Sequence, residues 1–131
     1  MSRHIEREHA FIVGFESLFD DSDIIDIISN ASEALEWYKS DYVEAVSVGV
    51  FEKREELDEI INRYLKRGWS TARISKVTLA LLRLAIYEIK YVDDVPESVA
   101  VNEAVELCKE YATESDASLL NGILGSVIKG L

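Results

Sequence analysis

The chain has 131 residues, of which 48% are hydrophobic and 30% charged, with six glycines, one proline and one cysteine. This composition fits a single globular domain over residues 1–131 and excludes a disordered chain, an internal disulfide and, because no long apolar run occurs, a membrane span. The net charge of −11 taken alone argues against a nucleic-acid partner, because phosphate contacts need lysine and arginine.

The scarcity of turn-forming residues predicts a few long helices. In residues 3–19 the apolar side chains recur at helical spacing, and the polar break at 20–23 offers Ser22 or Asp23 as the cap of a second helix over 24–38. The pattern restarts at Ser40 and continues to Leu65. Around Arg54 the residue types fit either a continuous helix or a short break.

The second half of the chain alternates helical patterns with capping residues. We predict that Gly68 forms a C-terminal cap beyond Arg67, and that Ser70 or Ser75 caps the following helix. That helix, over 77–89, is apolar nearly all round, which is typical of a central, buried helix. Two more helices follow: one opens near Pro96 and ends near 111, and the last covers 117–128. The predicted fold is all-α, with about seven helices.

The charges are unevenly distributed along the chain. All 25 acidic residues lie outside residues 60–87, a stretch that holds six basic ones: Arg63, Lys66, Arg67, Arg73, Lys76 and Arg83. A basic segment in an acidic protein is a candidate polyanion site. The alternative is that these cations pair internally with the acidic helices.

Residues that could carry catalysis or hold a metal are few. No glycine-rich phosphate loop is present, and His4 and His9 are spaced so that they do not share a helix face. Cys108 lies on an apolar stripe, as a small core residue does. We therefore expect a binding protein without cofactor or metal, and not an enzyme.

Four polar residues interrupt hydrophobic helical stretches: Arg83, Glu88, Asn102 and Asn121. Buried polar groups are usually satisfied by hydrogen bonds within the fold, so we expect Glu88, Asn102 and Asn121 to tie helices together. For Arg83 the sequence leaves a structural role and a binding role equally open.

Three blocks in the second half carry a family resemblance. Residues 83–89, 95–107 and 120–124 read RLAIYEI, VPESVAVNEAVEL and LNGIL, and the REHA of residues 7–10 adds a weaker match near the N-terminus. In this order and spacing the sequence resembles the NusB family of transcription antitermination factors. The resemblance implies an all-helical fold of two packed subdomains. We expect the protein to lie in the cytoplasm. The resemblance also implies that the protein binds boxA RNA together with NusE, a ribosomal protein, and promotes transcription of ribosomal RNA by RNA polymerase, which it contacts indirectly.

The sequence departs from the family at positions that hold RNA. The usual arginine-rich opening is reduced to Arg3, His4 and Arg7, and Ser118-Leu119 replace a Lys-Phe pair, so we expect weak RNA binding by the chain alone. The candidate RNA-binding residues are Arg3, Arg7, Phe15, Arg73, Lys76 and Arg83. We expect the first two to meet the acid-free stretch in one site. The alternative function is a protein-interaction module that has lost autonomous RNA binding and could associate with a second copy of itself as a homodimer.

Overall fold

The computed structural model describes residues 2–130, which form seven α helices and one 3₁₀ turn, with no strand among them. The helices are α1 (Arg3–Ser17), α2 (Ile24–Ala34), α3 (Asp41–Glu52), α4 (Arg54–Arg63), α5 (Lys76–Tyr91), α6 (Glu97–Tyr111) and α7 (Glu114–Gly130), and the 3₁₀ turn covers Thr71–Arg73. The all-α prediction and its approximate helix count are confirmed.

Short polar side chains fix where most helices begin. A side-chain oxygen accepts a hydrogen bond from a backbone N–H of the first turn at Ser2, Asp23, Ser40, Ser75 and Thr113. Each bond satisfies a donor that has no partner within its helix. Asp23 and Ser75 are thus the caps in the two places where the sequence offered a choice.

Helix boundaries differ from the sequence pattern in several places. Helix α2 ends at Ala34 instead of near residue 38, and α7 begins at Glu114 instead of near residue 117. The open question near Arg54 is settled by a break at Lys53, which ends α3 and begins α4. Gly68 was predicted to cap the fourth helix, but α4 already ends at Arg63. Gly68 lies further along the loop with a φ of 85°, a conformation that favours glycine.

Helix α5 is the centre of the molecule. It packs against α1, α3, α4, α6 and α7, as its apolar circumference predicted. Its fully buried side chains include Leu81, Leu82 and Ile86. Close packing of α6 alongside α5 brings Cys108 within 4.0 Å of the Thr78 hydroxyl.

The buried side chains form two clusters. The larger cluster joins α5 to α1, α3, α4, α6 and α7. The smaller one lies between α1, α2 and α3 and consists of Val13, Ile24, Ile27, Ile28 and Ala31. These clusters correspond to two packed subdomains, which α1 and α3 connect.

Candidate nucleic-acid interface

Arg7 lies inside the protein and forms an ion pair with Glu88. Only 3% of Arg7 is exposed, and its Nε lies 2.8 Å from Oε1 and 2.9 Å from Oε2 of Glu88, which is itself fully buried. Tyr42 donates a hydrogen bond to the same carboxylate, and Glu103 lies 3.4 Å from Nη1 of Arg7. Residues of α1, α3, α5 and α6 thus converge on one buried polar cluster.

The pKa shifts in this cluster favour a charged Arg7 and a protonated Tyr42. Burial lowers the pKa of Arg7, but the hydrogen bond to Glu88 and its negative charge outweigh that effect, so the pKa is raised overall. Burial and the bond to Glu88 both raise the pKa of Tyr42 and keep its hydroxyl protonated as a donor. In this structure the Arg7 guanidinium is held by Glu88 and is not presented at the surface, and contact between Arg7 and RNA stays a prediction.

The rest of the N-terminal basic run carries little unpaired positive charge. Arg3 is exposed, but its Nε lies 3.5 Å from Glu6, and its guanidinium lies 3.7 Å from the centre of the Tyr42 ring. The Nδ1 atom of His4 lies 2.7 Å from the carboxylate of Glu103. Of the two arginines predicted here, Arg3 alone is placed where a phosphate could meet it.

Arg83 is also engaged within the fold. Its Nε and Nη2 donate parallel hydrogen bonds of 2.8 and 2.7 Å to the two carboxylate oxygens of Asp58 on α4. Such a fork compensates the guanidinium charge and fixes its orientation. The side chain borders an open cleft of about 290 Å³ between α1, the loop after it and the start of α4. The geometry favours the structural role that the sequence left open.

Phe15 belongs to a row of aromatic rings that runs along α1 and into the loop after it. Its half-buried ring lies 6.3 Å from that of Phe11 and 5.1 Å from that of Phe19, centre to centre. The row continues from the core to the surface, where Phe19 is 65% exposed. Base stacking by Phe15 stays a prediction. Phe19, which is not among the predicted RNA contacts, presents the more accessible ring.

Arg73 and Lys76 are exposed, and neither forms an ion pair with any residue between 2 and 130. They lie at the N-terminal end of α5, whereas Arg7 lies beside Glu88 near its C-terminal end. At 1.5 Å per residue, Lys76 and Glu88 are about 18 Å apart along the helix axis. Arg7 therefore lies at the other end of α5 from Arg73 and Lys76, and one RNA site that joins the N-terminal arginines to the acid-free stretch stays a prediction.

The comparisons with known proteins settle the family. Residues 4–129 match the model of the NusB family. A curated relative from Acetivibrio thermocellus, named transcription antitermination protein NusB, is 44% identical over 131 residues, covering 98% of this chain and 90% of its own length. The chain belongs to the NusB family. A second relative of the same name, from Ruminiclostridium cellulolyticum, is 41% identical and matches 99% of this chain and 90% of its own length.

Solved NusB structures share this fold. The T. maritima NusB structure superposes with a TM-score of 0.88 at 32% identity and covers 98% of this chain and 92% of its own. A chain from a complex of antitermination factors NusB and NusE with double-stranded RNA gives the same TM-score at 24% identity, with full coverage of both chains. At that identity the second match shows the fold alone.

Two residues of the NusB-like blocks are placed differently from their prediction. Asn102 on α6 and Asn121 on α7 are both exposed, and within residues 2–130 neither side chain forms a hydrogen bond that ties the helices together. They line the same open groove of about 280 Å³ between α6 and α7, beside Lys109. Glu88, the third residue of that group, lies at the buried cluster described above.

The described residues contain neither a helix that is long and apolar enough to cross a membrane nor a group of three or more side chains suited to hold a metal ion.

Proposed function

We propose that this chain is a transcription antitermination factor that binds boxA RNA together with NusE and promotes transcription of ribosomal RNA. The single observation that carries the proposal is the match to the NusB family over residues 4–129, supported by 44% identity to a relative named for antitermination. The role is binding and not catalysis. It acts on the RNA polymerase elongation complex indirectly, which places the protein in the cytoplasm.

The charge geometry supports RNA binding that depends on a partner. The chain carries a net charge of −11, and two of its six predicted RNA contacts, Arg7 and Arg83, are matched internally by carboxylates. Long-range repulsion of RNA and the internal pairing of these two arginines predict weak binding by the chain alone. NusE raises the affinity by adding contacts of its own and by joining two binding surfaces on one strand.

An electrophoretic mobility shift with boxA RNA tests this function. We expect a weak shift with the chain alone at low salt, a strong shift when NusE is added, and a smaller effect with a scrambled RNA of the same length. NusE alone is the matched control. No shift with both proteins present at low salt would contradict the proposal.

The alternative, a protein-interaction module without RNA binding, is favoured by one observation: the arginine at position 7 is committed to the core. Sedimentation of the chain alone and with NusE separates the two cases. A stable homodimer or a NusE complex that fails to bind RNA supports the interaction module.

A further inference from the structure

One end of the molecule is a surface of exposed cations, which we call the basic tip. It comprises Arg63 at the end of α4, Lys66, Arg67 and Arg73 in the following loop, and Lys76 at the start of α5. The C-terminus of α7 reaches the same end, because Gly130 lies directly against the hydroxyl of Tyr64, and Lys129 is therefore nearby. None of these six cations forms an ion pair within the described part of the chain.

The placement of Lys76 adds to the positive potential of the basic tip. It is the first residue of α5, where the partial positive charge of the helix dipole disfavours a cation. Helix α5 has no acidic residue in its first turn, whereas α1, α2, α3, α4, α6 and α7 each have one or two there. A concentration of positive charge that the fold itself does not compensate calls for an anionic partner.

An aromatic side chain lies within this surface. Trp69 is 37% exposed, and the guanidinium of Arg73 lies 5.3 Å from the centre of its ring. Indole rings and guanidinium planes both stack on nucleic-acid bases, and stacking accepts any base. Cations combined with an exposed flat ring suit a single-stranded nucleic acid better than they suit an acidic protein surface.

We propose that the basic tip binds the phosphate backbone of single-stranded RNA, with a base stacked on Trp69 and Arg73. The choice of RNA as the anion rests on the proposed function. The tip offers cations that are not committed to the fold, whereas Arg7 is held by Glu88, and it lies at the opposite end of α5 from the N-terminal arginines. Backbone contacts carry no sequence information, so this surface strengthens binding without selecting boxA.

The test compares two charge reversals of equal size. K66E/R67E alters the tip in an exposed loop, and K39E/K53E alters two exposed lysines outside it. Fluorescence anisotropy in the presence of NusE gives the affinity of each variant for boxA RNA and for a scrambled RNA, at several salt concentrations. Thermal melting followed by circular dichroism shows that both variants fold like the wild type.

We expect K66E/R67E to lower the affinity for both RNAs by the same factor, about tenfold or more. The slope of log affinity against log salt concentration should become shallower by about 1.4, or ~0.7 per lost phosphate contact. K39E/K53E should change the affinity by less than about twofold, because only long-range repulsion increases. Equal affinities of the two variants overturn the inference. Loss of NusE binding by K66E/R67E without RNA also overturns it, since the tip is then a protein contact.

The failure of this inference differs from the failure of the proposed function. If the wild type with NusE binds neither RNA at low salt, the proposed function and the RNA-binding role of the tip are both wrong. If the wild type binds RNA and K66E/R67E binds it equally well, only the RNA-binding role of the tip is wrong. W37F leaves Trp69 as the sole tryptophan of the chain. Its emission should be quenched as RNA is added. Unchanged emission at saturating RNA overturns the stacking on Trp69.

Discussion

Replacing Arg7 by methionine should destabilise the protein severely, although the residue belongs to the basic run that resembles an RNA-binding segment. Glu88 would keep its position with no exposed surface, and its remaining hydrogen-bond donor would be Tyr42. Two opposite charges about 4 Å apart at an effective dielectric of about 20 attract by about 4 kcal/mol. Breaking a buried pair by removing one partner costs about 3–5 kcal/mol, out of a total stability of about 5–15 kcal/mol for a domain.

Urea unfolding followed by circular dichroism measures this loss. Arg3→Met is the matched control, because Arg3 lies one turn earlier on α1 and its side chain is 41% exposed, so its loss should cost less than about 1 kcal/mol. Arg7→Lys keeps the charge but not the geometry, and we expect an intermediate value. If Arg7→Met costs no more than Arg3→Met, the buried pair does not stabilise the fold.

Two further predictions concern pH and close packing. The hydrogen bond to Glu8 is the main cause, and burial the second, that raises the pKa of Tyr111 to about 12. The stability that this hydrogen bond contributes is therefore complete below a pH of about 10, where the unfolded tyrosine ionises, and is lost between about 10 and 12. The stability difference between wild type and Tyr111→Phe should shrink over that range, and a constant difference would refute the hydrogen bond between Tyr111 and Glu8. A Cβ at position 49 would overlap the ring of Tyr87, so Gly49→Ala should lower the free energy of unfolding by about 1–3 kcal/mol. Gly125→Ala is the control, because its Cβ meets open space in α7, and it should raise the free energy of unfolding by about 0.5–1 kcal/mol. Equal effects of the two substitutions in thermal melts would show that α3 and α5 are not in close contact.

The fold was predictable because local signals determined it. The helical spacing of apolar residues and the polar caps lie in the sequence itself, and α5 was correctly predicted to be central. The break at Lys53 was not fixed by the sequence, because no glycine or proline marks it and tertiary packing separates α3 from α4. The end of α4 at Arg63 was not visible in the sequence either, because the residues from 64 to 67 include no glycine or proline.

The candidate site was predicted less well, because burial depends on distant partners. Arg7 is neutralised by Glu88, which lies 81 residues away, and Arg83 by Asp58, 25 residues away. No local pattern shows that these side chains meet. The acid-free stretch, by contrast, was visible in the sequence, and its loop cations remain exposed. What the sequence could not supply was the geometry: the two basic regions lie at opposite ends of one helix.

We propose a division of roles in this chain: Arg7 stabilises the fold, and the basic tip contacts RNA. The most direct test is NMR of the arginine Nε–Hε groups in ¹⁵N-labelled protein bound to unlabelled NusE, before and after boxA RNA is added. We predict that the signals of Arg67 and Arg73 shift on RNA addition, while the Arg7 signal stays in place and exchanges slowly with water. A shift of the Arg7 signal with unchanged signals from Arg67 and Arg73 would contradict this division of roles.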